Sequence, residues 1–316
     1  MPLAVRLAFD LEKLAIAAMG LMAASLGYGT FNWLGVQTGE RGGHRAFAGI
    51  GAILATCICV LFSGLIARIV TAELLEGRRV GIAELREFAK DRWTTLIGLP
   101  LSFGGIVLLL LVIEAMLAFV GSIPGIGPII YSASFLPAFF LSLIVVLTIA
   151  VHTFGAFLYP TIVATQGVGA IGAILEVVEL ARRKPLYIII YQAVVGLVGA
   201  LMTLLIGGVV WASLSLTILS ASAIMRERFD LTLAAIPDFF EVFLRPFSRI
   251  LPFAAEDIET AWHYDLSGAL LGGSLLVVVV LTLVYPFVFF TSAGSITYLI
   301  LRTPPDAPER SPIEDL

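Results

Sequence analysis

Hydrophobic and polar positions along this chain separate into long blocks. Residues 14–39, 46–67, 93–113, 115–175, 185–225 and 266–301 contain no Asp, Glu, Lys or Arg. A helix needs about 20 apolar residues to cross the hydrocarbon core of a bilayer, and each block is long enough. The pattern predicts an all-α fold, a polytopic transmembrane helix bundle of about six spans, forming one integral membrane domain over 1–316. The spans fit best at about 14–35, 46–69, 94–121, 129–160, 186–213 and 267–301. Ser122-Ile-Pro-Gly-Ile-Gly-Pro128 joins the third and fourth as a tight turn. Pro286 is expected to kink the last span without ending it, since apolar residues continue to Leu301. Block 185–225 has one interior break, Gly207-Gly208, so it reads as one span followed by an interfacial stretch.

Two polar connections carry a helical period of their own. In 81–93, Ile82, Leu85, Phe88 and Ala89 recur at helical spacing, with Glu84, Arg86, Glu87 and Lys90 around the rest of the circumference. Val168, Ile171, Leu175 and Val178 do the same in the second connection, with Glu176, Glu179, Arg182 and Arg183 opposite. Both predict amphipathic helices lying at the membrane interface, about 71–92 and 168–184. The order interfacial helix, outward span, inward span then suggests a repeat over 2–69, 71–160 and 168–301. Arg68-Ile-Val-Thr-Ala-Glu73 and Thr161-Ile-Val-Ala-Thr-Gln166 fall at equivalent places after inward spans.

Composition supports the membrane reading: 59% of residues are hydrophobic and 13% charged, about half the ordinary charged share, and the mean hydropathy is +1.02. A net charge of −4 excludes an extended nucleic-acid footprint. Charge also orients the spans. Thirteen of the 19 Lys and Arg residues fall on one side, including Arg68, Arg78, Arg79, Arg182, Arg183 and Lys184. By the positive-inside rule both termini are then cytoplasmic. Asp10 and Glu12 argue for a retained first span over a cleaved signal. Cys57 and Cys59 lie in an apolar run and read as small hydrophobes.

Few residues offer chemistry. Glu114 is the one acid deep in a span, and an intramembrane ionisable group is a functional candidate. Ser132, Ser134 and Ser213 are its expected hydrogen-bond neighbours. His152 lies toward the other end of its span, too far for a relay with Glu114, and shares its depth with Tyr191 and Gln192. Gly167-Val-Gly-Ala-Ile-Gly172 matches a dinucleotide fingerprint but follows a membrane span, not a strand, so the glycines are expected to permit a bend. Glu259 and His263 have chelating spacing on a helix, with Asp257 and Asp265 nearby, but there is no H-E-x-x-H pattern and the other two histidines are remote in sequence, so no metal and no cofactor is expected. No catalytic motif appears, and no set of polar residues converges at one depth. The outward segment 214–265 is rich in aromatics. Phe239, Phe240, Phe243, Phe247 and Trp262 would rest on lipid and on the bundle, or meet a partner.

Gly64-Leu-Ile-Ala-Arg-Ile-Val-Thr-Ala-Glu73 and the ending Ser295-Ile-Thr-Tyr-Leu-Ile-Leu-Arg302 resemble uncharacterised bacterial six-span membrane families. The interfacial-helix-then-span layout is similar to the membrane domain of some glycerophosphodiester phosphodiesterases, whose catalytic domain this chain lacks. The resemblance implies the inner membrane as location. The leading expectation is a non-catalytic scaffold or accessory subunit of a larger complex, with membrane lipids and other membrane subunits as partners. The alternative is a small transporter or lipid-handling permease using Glu114.

Overall fold

The computed structural model describes residues 2–39, 41–124, 127–225, 227–237, 239–240 and 262–302. Helices α1 (Pro2–Ala8), α2 (Leu11–Gln37) and α3 (Arg41–Thr71) lead into a π-helical turn, Ala72–Glu76. Then come α4 (Ile82–Gly121), α5 (Gly127–Gly155), α6 (Tyr159–Gln166), α7 (Ala170–Arg183), α8 (Pro185–Met225), α9 (Glu227–Ala234) and α10 (Trp262–Arg302). No strand occurs among the described residues. Six of these helices are long and apolar enough to cross a membrane, so the chain is an all-α, multi-pass membrane bundle.

Several boundaries differ from those the sequence predicts. Residues 82–92 are not a separate interfacial helix but the first turns of α4, because no glycine or proline stands between them and the apolar run. Pro100, Pro137 and Pro286 all lie inside helices and end none of them. The fourth span stops at Gly155, short of 160. A turn follows, and Tyr159-Pro160 opens α6, where the missing proline N–H leaves no helix bond unmade. The proposed repeat is therefore incomplete, since its second copy has no free-standing interfacial helix.

Block 185–225 is one unbroken helix of 41 residues. At about 1.5 Å per residue it runs roughly 60 Å, twice the apolar thickness of a bilayer.

The described chain forms two compact units, Met1–Ser63 with Gly196–Phe290, and Gly64–Val195 with Thr291–Leu316. In the first, α2 packs antiparallel on α3 through small residues. Gly20 faces Phe62, Gly27 faces Leu54, and Gly35 approaches the His44 backbone. Close backbone approach of this kind is how membrane helices gain packing energy without a hydrophobic driving force between them. Asp10 caps α2 by accepting from the Glu12 N–H at 3.1 Å, and its other oxygen lies 3.3 Å from the buried Lys13 ammonium. Leu214, Ile218, Leu233 and Leu275 form a core that Ile236, Phe240 and Leu271 extend. The Gly268-x-x-x-Gly272 motif serves this core. Gly268 lies against the backbone of Ala235, and Gly272 lies under the Phe240 ring.

In the second unit α4 and α5 form an antiparallel hairpin. Phe103 stacks on His152 with ring centroids 3.7 Å apart, and Ser142 bonds Glu114. The residue numbers of these pairs add to nearly the same value, which defines the register. Its centre falls near residue 128, four residues beyond the midpoint between the end of α4 at Gly121 and the start of α5 at Gly127, so α5 is offset by about eight residues, roughly two helical turns, from a symmetric hairpin.

Candidate functional site

Arg68 sits on the last turns of α3, and the π-helical turn after it ends at Gly77 in the left-handed conformation, φ 62°. This sharp exit carries Glu76 and Arg78 back toward Arg68. Glu84 arrives from the first turn of α4, where the helix dipole favours an anion. Arg68 donates to Glu76 at 2.9 Å and to Glu84 at 2.6 Å. Arg78 donates to the same two carboxylates at 2.6 and 2.5 Å. Each charge of this four-membered ring meets two of opposite sign. Hydrogen bonds from Arg78 to Glu84, then to Glu76, hold the Arg78 guanidinium above its ordinary proton affinity.

Two turns along α4, Arg92 donates to the carbonyl of Gly167. Gly167 ends α6 at φ 64°, and a Cβ there would lie 2.6 Å from an Arg92 nitrogen. The positive φ favours glycine, while the Arg92 side chain could move aside for a Cβ. The chain then bends by 114° into α7, the bend the sequence predicts. The same bend turns Glu176 inward, against the expectation that it faces water. Gln166 donates to Glu176 at 3.0 Å and to the Tyr298 hydroxyl at 2.5 Å, and that hydroxyl lies 3.5 Å from Glu176. Thr161 and Ser295 are hydrogen-bonded at 2.8 Å, and Lys184 donates to the Leu301 carbonyl at 2.7 Å. α6, α7 and the end of α10 are thus fastened by polar contacts, each of which satisfies a group that would be costly to leave unmet.

In front of this network lies a polar cleft of about 410 Å³, lined by Arg68, Glu84, Glu87, Asp91, Arg92 and Gln166 among others. The sequence shows no set of polar residues at one depth, and the structure corrects that reading. The set is assembled from the ends of α3 and α6 and the start of α4. One clue was present: Arg68–Glu73 and Thr161–Gln166 are the matching segments, and both border the cleft.

The buried face of α7 is Ala173, Val177 and Leu180, while Ile171, Leu175 and Val178 are exposed at 67%, 61% and 44%. The predicted apolar stripe therefore faces outward, as an interfacial helix requires. Arg183 pairs with Glu179 at 2.5 Å, and Arg79 and Arg182 are exposed.

The intramembrane candidates stand apart from the cleft. Glu114 accepts from Ser142 at 2.7 Å, not from Ser132, Ser134 or Ser213, because of the shifted hairpin register. Ser142 shares its hydrogen with the Ala138 carbonyl at 3.2 Å. The 22 residues from Arg92 to Glu114 amount to roughly 33 Å along α4. Ser142→Ala should destabilise the hairpin by about 1–2 kcal/mol by removing the carboxylate's donor, while Glu114→Gln should cost less, because its amide oxygen still accepts. Thermal unfolding in detergent checks this, and equal losses would refute it.

His152 lies between Phe103 and Tyr159, and among the described residues its Nδ1 has no hydrogen-bond partner, so the expected bond with the Tyr191–Gln192 pair does not form at that atom. Gln192 is half-buried on α8. Phe239 and Phe240 pack edge to face at 5.0 Å. Phe243, Phe247 and Glu259 lie outside the described residues. Trp262 is exposed at the start of α10, edge-on to His263.

Comparison of the chain with protein-family models, curated proteins and solved structures gives no match.

Proposed function

We propose that this is a non-catalytic, lipid-handling membrane protein, and that the polar cleft is where it holds a lipid headgroup. The observation that carries the reading is the cleft's position. It is built from residues at the end of α3 and the start of α4, two helices long enough to cross a membrane, together with the end of the short α6, beside α7, whose exposed face is apolar. Such residues lie at headgroup depth, where a charged cleft and a lipid-facing stripe can engage the two ends of one amphiphile. The distribution of Lys and Arg supports a cytoplasmic setting, at the inner membrane, for this face and both termini. Glu114 has no part in it, being bonded within the hairpin. Neither does a midplane pathway, since α10 passes Pro286 without a break.

A second reading, the scaffold or accessory subunit, draws support from the α4–α5 hairpin. Phe119, Phe135, Leu136 and Met116 are each about three-fifths or more exposed there, a broad apolar face for another membrane subunit. The aromatic segment supports it less, because Phe240 is already used in packing against Gly272.

Extraction in mild detergent followed by native mass spectrometry separates the two. Retained phospholipid with no stoichiometric protein supports the lipid-handling reading. A stoichiometric protein partner and no lipid would replace it with the scaffold.

A further inference from the structure

We propose that the cleft selects an aminophospholipid, a lipid whose headgroup joins a primary ammonium to a phosphate; this rests on the lipid-handling reading above. The lining charges are not equivalent. Arg68 and Glu84 are consumed in the four-membered ring, and Gln166 donates into the Glu176–Tyr298 network. Glu87 and Asp91 are different: among the described residues neither has a hydrogen bond or ion pair, and both open onto the cleft.

Their i, i+4 spacing on α4 sets the two carboxylates about 5–6 Å apart at Cβ, a gap that one ammonium can bridge. Arg92 lies at the same level, fixed by its bond to Gly167, and presents a guanidinium whose other nitrogens suit a phosphate oxygen. Two arginines against three carboxylates leave the lining one negative charge, 2 − 3 = −1, so the cleft as a whole prefers a ligand that brings a cation. A wholly anionic headgroup would meet Glu87 and Asp91 unfavourably. A trimethylated amine has no N–H to donate and is recognised by aromatic cages, whereas Phe88 is the one aromatic in the lining. The primary ammonium is the cation that fits. The half-buried Phe88 and the exposed Ile171 and Leu175 leave an apolar flank in the same unit for the acyl chains.

The test uses the full chain in nanodiscs made from equal parts phosphatidylethanolamine, phosphatidylcholine and phosphatidylglycerol. The lipids kept after re-extraction are counted by native mass spectrometry. The wild type should keep phosphatidylethanolamine about fivefold over each of the others, and the double variant E87Q/D91N should bring that ratio to about one. Both side chains are exposed, so the double variant should unfold at the wild-type temperature. Lys90→Gln, on the same helix outside the cleft lining, should leave the ratio unchanged. Indiscriminate retention by the wild type overturns the aminophospholipid and leaves the lipid-handling reading standing. No retained lipid at all overturns both. A preference that survives E87Q/D91N removes the two carboxylates from the site. Soluble phosphoethanolamine displacing the lipid at equal concentration would make the ligand a free zwitterion and overturn the lipid source.

Discussion

Gly294→Ala is expected to destabilise the protein by about 3 kcal/mol, more than its single added methyl group suggests. A Cβ at Gly294 would lie 2.1 Å from the carbonyl oxygen of Phe157 and 2.8 Å from its carbon. The obstacle is backbone, so no side-chain rotation relieves it. Phe157 belongs to the turn between α5 and α6, and moving that turn would drag Tyr159 and the start of α6 with it. Gly104 and Gly105, in α4, have open space around the same position. Alanine at either should be neutral or stabilising by up to about 1 kcal/mol, through helix propensity alone. Thermal midpoints of the three variants in one detergent decide the matter. If Gly294→Ala unfolds with the α4 pair, the close approach is not what holds α10 to the turn.

Tyr298→Ala should cost about 4 kcal/mol, the typical penalty for emptying a fully buried aromatic site. Tyr298 is completely buried, and its hydroxyl meets both Gln166 and Glu176. Tyr298→Phe isolates the hydroxyl and should cost about 1–2 kcal/mol, since Gln166 and Glu176 keep only their bond to each other. The same contacts predict coupling. Tyr298→Phe and Gln166→Met together should cost less than the sum of the two alone, by roughly 1 kcal/mol. Strict additivity in chemical unfolding would show that the two side chains are neighbours without a shared network.

The fold class was readable because its cause is local. A helix in hydrocarbon must be long and uncharged wherever it sits, and blocks such as 46–67 and 266–301 announce that directly. The site was not readable, because it depends on which way each helix faces. Glu176 shows the difficulty. Its neighbours Ile171, Leu175 and Val178 form the more apolar stripe, and in a water-soluble protein that stripe would be buried. Here that stripe is exposed, the smaller Ala173 and Val177 pack inward, and Glu176 turns toward Gln166. Lipid-facing and protein-facing positions are equally apolar, so one sequence does not separate them. The partner of Glu114 was unreadable for a related reason. Its isolation in the sequence marked it as special, but a single serine one helix away satisfies it, and the axial offset that chooses Ser142 is a property of packing. Arg68 and Tyr298 lay in segments that stood out, yet 230 residues separate them.

The length of α8 has a consequence for how the chain is made. Its 41 residues are free of charge throughout and span roughly twice the apolar thickness they must cross, enough for two short passes joined near Gly207-Gly208. Its far end is covered, where Leu214 and Ile218 pack under Leu233, Phe240 and Leu275. All three covering residues are synthesised after α8. The cover over the far end of α8 therefore cannot form until the chain has been made as far as Leu275, fifty residues past the end of the helix it packs on.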